Sequence, residues 1–199
     1  MVFEVTDISK IVPTKNLILV RAPKEERCIT IGDGMTIEID TTFEPEKHAA
    51  TSGDVIACCE ELDDHLQTEI DIASGDKIFF HYLCISNCIR AKKYVICNGI
   101  PYFFVTYTSV YCVKKVDGTI LPLNEQMMVE PKEVTQPEKN DWGFYLPDSN
   151  LDKNSKNMGT VRYVNPSINN LVKPGDEIFF AKNSWAPLQY DLHNSLEGN

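Results

Sequence analysis

ASGDKIFF (residues 73–80) and KPGDEIFF (residues 173–180) are two copies of one short pattern, identical at five of eight positions. Gly75 and Gly175 stand where a tight turn needs a positive φ, which glycine adopts without a Cβ clash. Asp76 and Asp176 follow, and Ile-Phe-Phe then opens a short strand in each copy. Working outward, VTDIS (5–9) pairs with VTYTS (105–109), PTKNLILV (13–20) with PLNEQMMV (122–129), and SGDVIAC (52–58) with MGTVRYV (158–164). The order of these matches is kept while their spacing drifts by a few residues. That is the mark of one ancestral unit duplicated and then altered by loop insertions.

The repeated unit reads as all-β. LILV, DVIAC, KIFF, YVIC and PYFFVTY are rich in β-branched and aromatic residues and are bounded by Gly, Pro, Asn or Asp. Short strands with turns at regular intervals point to barrels or sandwiches. One stretch departs from this. In CEELDDHLQTEI (59–70), Leu62, Leu66 and Ile70 recur every four residues, as on an amphipathic helix, although a long acidic hairpin reads equally well.

The chain has 199 residues, enough for two units of about 100 residues each. With 43% hydrophobic and 24% charged residues it has the composition of an ordinary globular protein. A formal net charge of −10 argues against a nucleic-acid partner, which requires basic groups to displace counterions. The greasiest window, IFFHYLCISNCI (78–89), is interrupted by His81, Ser86 and Asn87 and falls short of the ~18 residues of a membrane span. MVFEVTD has no basic region of the secretory kind. Seven cysteines (28, 58, 59, 84, 88, 97 and 112) are an odd, irregular set that reads as reduced thiols. The expectation is a cytoplasmic protein with no membrane partner.

The second unit runs ILPLNEQMMVEPKEV (120–134), WGFYLPDSN (142–150), KNMGTVRYVN (156–165) and VKPGDEIFF (172–180). In order and spacing these blocks resemble the GroES-type co-chaperonins. In that family a strand leads into a mobile loop carrying Gly, an apolar triplet and often Leu-Pro. A Gly-x-Val strand and a Gly-Asp turn follow. The first unit matches more weakly, through LILVRAPKEE (17–26), SGDVIA (52–57) and SGDKIFF (74–80). The resemblance implies two tandem GroES-like, partly open β-barrels, at 12–118 and 119–199. It is similar in plan to the double-barrel co-chaperonins of chloroplasts, though no transit-peptide composition is visible.

The family's unit closes on a strand like VTYTSVYCV (105–113), and the second unit shows no such pattern before Asn199. MVFEVTDISKI (1–11) carries that pattern instead. Residues 1–11 are therefore expected to close the second barrel as a circular permutation; the alternatives are that they extend the first barrel or that the natural chain continues past residue 199.

The resemblance also implies a function: a non-enzymatic co-chaperonin without cofactors that caps a GroEL-type chaperonin, with a homo-oligomeric ring among the assemblies it allows. The docking positions would be Gly143, Phe144, Tyr145 and Leu146, an apolar triplet between TQPEKND (135–141) and DSNLDKNSKN (148–157). The first-unit counterparts are Met35, Thr36 and Ile37, after Gly34, although ITIGDGMTIEI reads at least as well as a hairpin around Gly-Asp-Gly. The acidic stretch 59–71 falls where the family has its roof hairpin. The alternative function is a structural or assembly protein, for example phage-associated, that reuses the barrel without binding a chaperonin. No metal site is expected: the candidates, His81, Cys84, Cys88 and Cys97, have a spacing unlike ribbons or fingers, and residues 78–85 read as strand. His48, His65 and His193 sit in no nucleophile-elbow, CxxC or phosphate-loop motif.

Overall fold

A computed structural model describes residues 3–23, 28–31, 35–38, 49–63, 69–132 and 158–181. Strands dominate these residues, which divide into two compact units, within Met1–Asn124 and Glu125–Pro187. The first unit holds β1 (Phe3–Val5), β2 (Leu17–Arg21), β3 (Cys28–Ile31), β4 (Met35–Glu38), β5 (Ser52–Cys58), β6 (Lys77–Phe80), α1 (Leu83–Arg90), β7 (Tyr94–Cys97), β8 (Ile100–Thr106), β9 (Val110–Lys114) and β10 (Ile120–Pro122). The second holds β11 (Met127–Pro131), β12 (Met158–Val164) and β13 (Glu177–Phe179).

In the first unit, eight strands form one sheet in the order β1-β7-β8-β2-β5-β6-β9-β10, with β3 and β4 as a separate hairpin. Among the described residues no sheet is closed. The central strand β2 is apolar on both sides. Ile18 and Val20 enter one buried cluster with Val55, Ile78, Phe80, Phe103, Val105 and Val113, while Leu19 enters another with Val95, Cys97 and Tyr102. A strand covered on both faces loses the polar alternation of a half-exposed one, which accounts for the unbroken run LILV. Asn98 and Gly99, with φ of 50° and 75°, make the two-residue turn joining β7 to β8.

The sequence correspondence between the units recurs in the pairing. Gly53 opposes Ile78 and Gly159 opposes Ile178. The β2–β5 ladder shifts register between Leu19 and Val20, and the β11–β12 ladder shifts between Met128 and Val129. The Gly-Asp turns match bond for bond. Gly75 N–H donates to Val55 O at 2.9 Å and Gly175 N–H to Val161 O at 2.8 Å. Asp76 Oδ2 accepts from Ala73 N–H, and Asp176 Oδ2 from Lys173 N–H, both at 2.9 Å. Gly75 and Gly175 have φ of +92° and +96°.

Three expectations change. The boundary lies at 124/125 rather than 118/119, because β10 pairs with β9, Leu123 is buried, and Asn124 Nδ2 donates to the carbonyls of Tyr107 and Val110. Of the two places weighed for residues 1–11, β1 takes the one in the first unit: it pairs parallel with β7, Val5 against Cys97. Val5, Ile8 and Ile11 pack over the Leu19–Tyr102 cluster there, and that apolar cover is the physical reason for the placement. The strand expected at 78–85 ends at Phe80, and α1 follows, burying Cys84, Ile85 and Cys88. Residues 59–63 and 69–71 join no helix or strand. Residues 64–68, in the middle of the helix-or-hairpin stretch, lie outside the described residues.

Asp76 separates the two turns energetically. It is 3% exposed and holds Lys115 Nζ and Val116 N–H, each at 3.2 Å, besides its own turn, whereas Asp176 is exposed. Asp76→Ala removes the buried acceptor of two amides and of the partly exposed Lys115 and is expected to cost about 3 kcal/mol. Asp176→Ala should cost less than about 1 kcal/mol. Urea denaturation of both variants checks the contrast.

Candidate functional site

The loops that the sequence singles out leave the fold at one shared place, between the first and second strands of each β2-β5-β6 or β11-β12-β13 set. In the second unit the two stems are clamped. Pro131 opposes Gly159, and Lys132 N–H donates to Met158 O at 2.9 Å. Two exposed ion pairs flank the clamp: Lys132 Nζ to Glu177 Oε1 at 2.7 Å, and Arg162 Nε to Glu130 Oε2 at 2.7 Å. Exposed pairs of this kind orient the stem more than they stabilise it. A Cβ on Gly159 would collide with Val129 Cγ1 and the Glu130 carbonyl, so close approach of β11 and β12 demands glycine. Gly53, its counterpart, has more room: its Cβ would sit 3.1 Å from Arg21 O.

Residues 133–157, with Gly143, Phe144, Tyr145 and Leu146, lie outside the described residues. Met35, Thr36 and Ile37 are described: they form β4, opposite Ile31, Thr30 and Ile29 of β3. The hairpin is thus the reading that the backbone of the first-unit loop follows. The stem residues Lys132, Arg162, Glu130 and Glu177 were not legible in advance. Only the Gly159 match hinted that the strands come close there.

The candidate metal set is not assembled. Cys84 and Cys88 face inward from consecutive turns of α1, and Cys88 Sγ donates to Phe104 O at 3.3 Å. His81 Nδ1 accepts from Leu83 N–H at 3.2 Å, and its ring stacks on Tyr82 at 4.4 Å. Cys97 lies in the separate cluster with Leu19 and Tyr102. Among the described residues no three His, Cys, Asp or Glu side chains meet as a metal site, and no helix is long and apolar enough to cross a membrane. His48, His65 and His193 lie outside the described residues.

Three of the described thiols, Cys58, Cys84 and Cys112, are held protonated, while Cys88 is lowered by its hydrogen bond with Cys84. Burial pushes Cys112 up to about 12. Burial, reinforced by the neighbouring Cys59, pushes Cys58 up to about 12. Cys84 is raised by its hydrogen bond with Cys88 and by burial. A nucleophilic cysteine needs the opposite environment, electropositive and accessible, to populate the thiolate. No protein-family model matches the chain, and no curated protein matches it.

Two expectations follow from this geometry. Gly159→Ala should destabilise the second unit by about 2 kcal/mol through overpacking. It should also speed amide exchange at Lys132, where Gly53→Ala should have the smaller effect on its own unit; hydrogen exchange with mass spectrometry reads both. Cys112 keeps its proton in the folded state above pH 9.0, where the unfolded chain loses it. That stabilisation is complete below pH 9.0 and is lost as pH rises toward about 12. Between about pH 8 and about pH 10.5, Cys112→Val should reduce the fall in unfolding free energy by about 2 kcal/mol, measured by urea denaturation.

Proposed function

We propose that the chain is a co-chaperonin built from two GroES-like, partly open barrels. It caps a GroEL-type chaperonin ring and assists folding, with Phe144, Tyr145 and Leu146, after Gly143, as its apolar docking anchor. The observation that carries this reading is the shared position of the two loops. In both units a long insertion leaves and re-enters the sheet between the same two strands, at stems of matching register. The chain thus leaves and re-enters the sheet at one place on either side of the anchor, as a docking segment requires.

The barrel part of the reading draws support from the segment 100–114 of the first unit. Its first half, β8, pairs with β2, and its second half, β9, pairs with β6, with a 3-10 turn at Tyr107–Ser109 between them. One bent segment thereby flanks both ends of the β2-β5-β6 set. The residues it contributes, Phe103, Val105, Tyr107, Val110 and Val113, share one buried cluster with Ile18, Val55 and Ile78.

A second reading, an assembly protein that reuses the unit, is favoured by one observation: Met35, Thr36 and Ile37 are strand residues of the β3–β4 hairpin. On that reading barrel surfaces and edges make the contacts.

Retention on an immobilised GroEL-type chaperonin, with ATP or ADP, separates them. The wild-type chain should bind, and Phe144→Ala with Leu146→Ala should weaken binding by about 30-fold or more, as loss of a hot spot does. Equal retention of both proteins removes the anchor assignment. Retention of neither leaves the assembly reading.

A further inference from the structure

Cys84 and Cys88 stand four residues apart on α1, and both turn inward, 9% and 6% exposed. Side chains at that spacing lie one above the other on a single helix face. The two thiols are hydrogen-bonded to each other. Each sulfur also has a neighbour suited to its deprotonated form. The Ser109 side chain hydrogen-bonds to Cys84, and the Lys93 ammonium is close enough to favour the Cys88 thiolate. Arg90 places a second positive charge in the last turn of the helix.

Such a pair can bond directly as a disulfide or share one ion, and the helix geometry favours the ion. Side chains four apart on a helix have Cβ atoms about 5–6 Å apart, whereas a disulfide brings them to about 3.5–4.5 Å. A direct sulfur–sulfur bond therefore requires α1 to distort. An ion with two metal–sulfur bonds of about 2.3 Å holds its sulfurs up to about 4.6 Å apart, which an undistorted helix accommodates. The donors then select the ion. Zinc asks for four ligands, and among the described residues no third His, Cys, Asp or Glu joins the two thiols. A buried pair of soft sulfurs suits Cu(I), which thiolates favour.

We propose that Cys84 and Cys88 form a two-coordinate site for a soft monovalent cation, Cu(I), held between consecutive turns of α1. Binding exchanges the two thiol protons for the ion, and both protons leave to solvent. The bis-thiolate complex then carries a single negative charge, which Lys93 and Arg90 offset. Cys88 Sγ gives up its hydrogen bond to Phe104 O in exchange for the metal bond. The gain falls on α1, an eight-residue helix with no side-chain cap. A helix that short depends on its packing, and the bound ion fastens one turn to the next.

Competition for Cu(I) tests the site on the full chain. Reduced protein is loaded with Cu(I) under nitrogen and titrated with the chelator bathocuproine disulfonate. The wild-type chain should retain one equivalent more than a chain carrying Cys84→Ala and Cys88→Ala. The affinity for that equivalent should fall by more than the roughly 100-fold that loss of an outer-shell partner alone can cost. Urea denaturation of the metal-free variant shows whether it is folded. Hydrogen exchange on the wild-type chain needs no variant: Cu(I) should slow the amides of residues 83–90 about tenfold, as a local opening made rarer does. Equal retention by the wild-type chain and the folded variant overturns the proposal. So does slowing that is absent from residues 83–90 in the loaded wild-type chain.

Discussion

The Asp76 carboxylate is the interaction on which the first unit turns. Four residues, Ala73 to Asp76, must reverse the chain before β6, and Asp76 closes that reversal on the Ala73 amide. The same side chain accepts from Val116 N–H and from Lys115 Nζ, immediately beyond β9. A single buried group thus sets the turn that starts β6 and ties down the end of β9, the strand that β6 pairs with. Lys115 also reaches the Asp71 carbonyl, which ties the backbone just before the turn to the same anchor. A buried charge is tolerable when it is paired and its remaining lone pairs are filled, and Asp76 meets both conditions.

Tyr107 does for the bend between β8 and β9 what Asp76 does for the turn. It is fully buried, its hydroxyl donates to Glu69 O, and burial pushes that hydroxyl up to about 12. Its backbone carbonyl is held by Asn124. The bend lets one segment serve two strands, and the core it encloses keeps the β2-β5-β6 set rigid enough to hold a loop stem in register.

Much of this was legible in the residues, for identifiable reasons. Gly-Asp followed by Ile-Phe-Phe is a local instruction, readable because turn and strand lie within eight residues. ITIGDGMTIEI announced its hairpin through alternation about a Gly-Asp-Gly turn. By contrast, α1 has no side-chain cap, and LCISNCIR holds residues of modest helix propensity. Its helicity follows from the inward stripe of Cys84, Ile85 and Cys88, which becomes apolar packing only when β8 and the core are beside it. His81, Cys84, Cys88 and Cys97, near one another along the chain, do not meet as a set, because Cys97 packs in a separate cluster with Leu19 and Tyr102.

What the amino-acid sequence determined by itself is the unit and its repetition: β-rich segments, the two Gly-Asp turns, the glycine where β11 and β12 approach, and their common order. These depend on short-range sterics and on alternation, which each segment carries within itself. Tertiary structure decided where the N-terminal strand pairs, where the first unit ends, and that residues 83–90 coil into a helix. Those outcomes depend on which apolar surfaces meet across long stretches of chain. FEVTDIS shows the difference most directly: its sequence says strand, and only the Leu19–Tyr102 surface beneath it says which sheet.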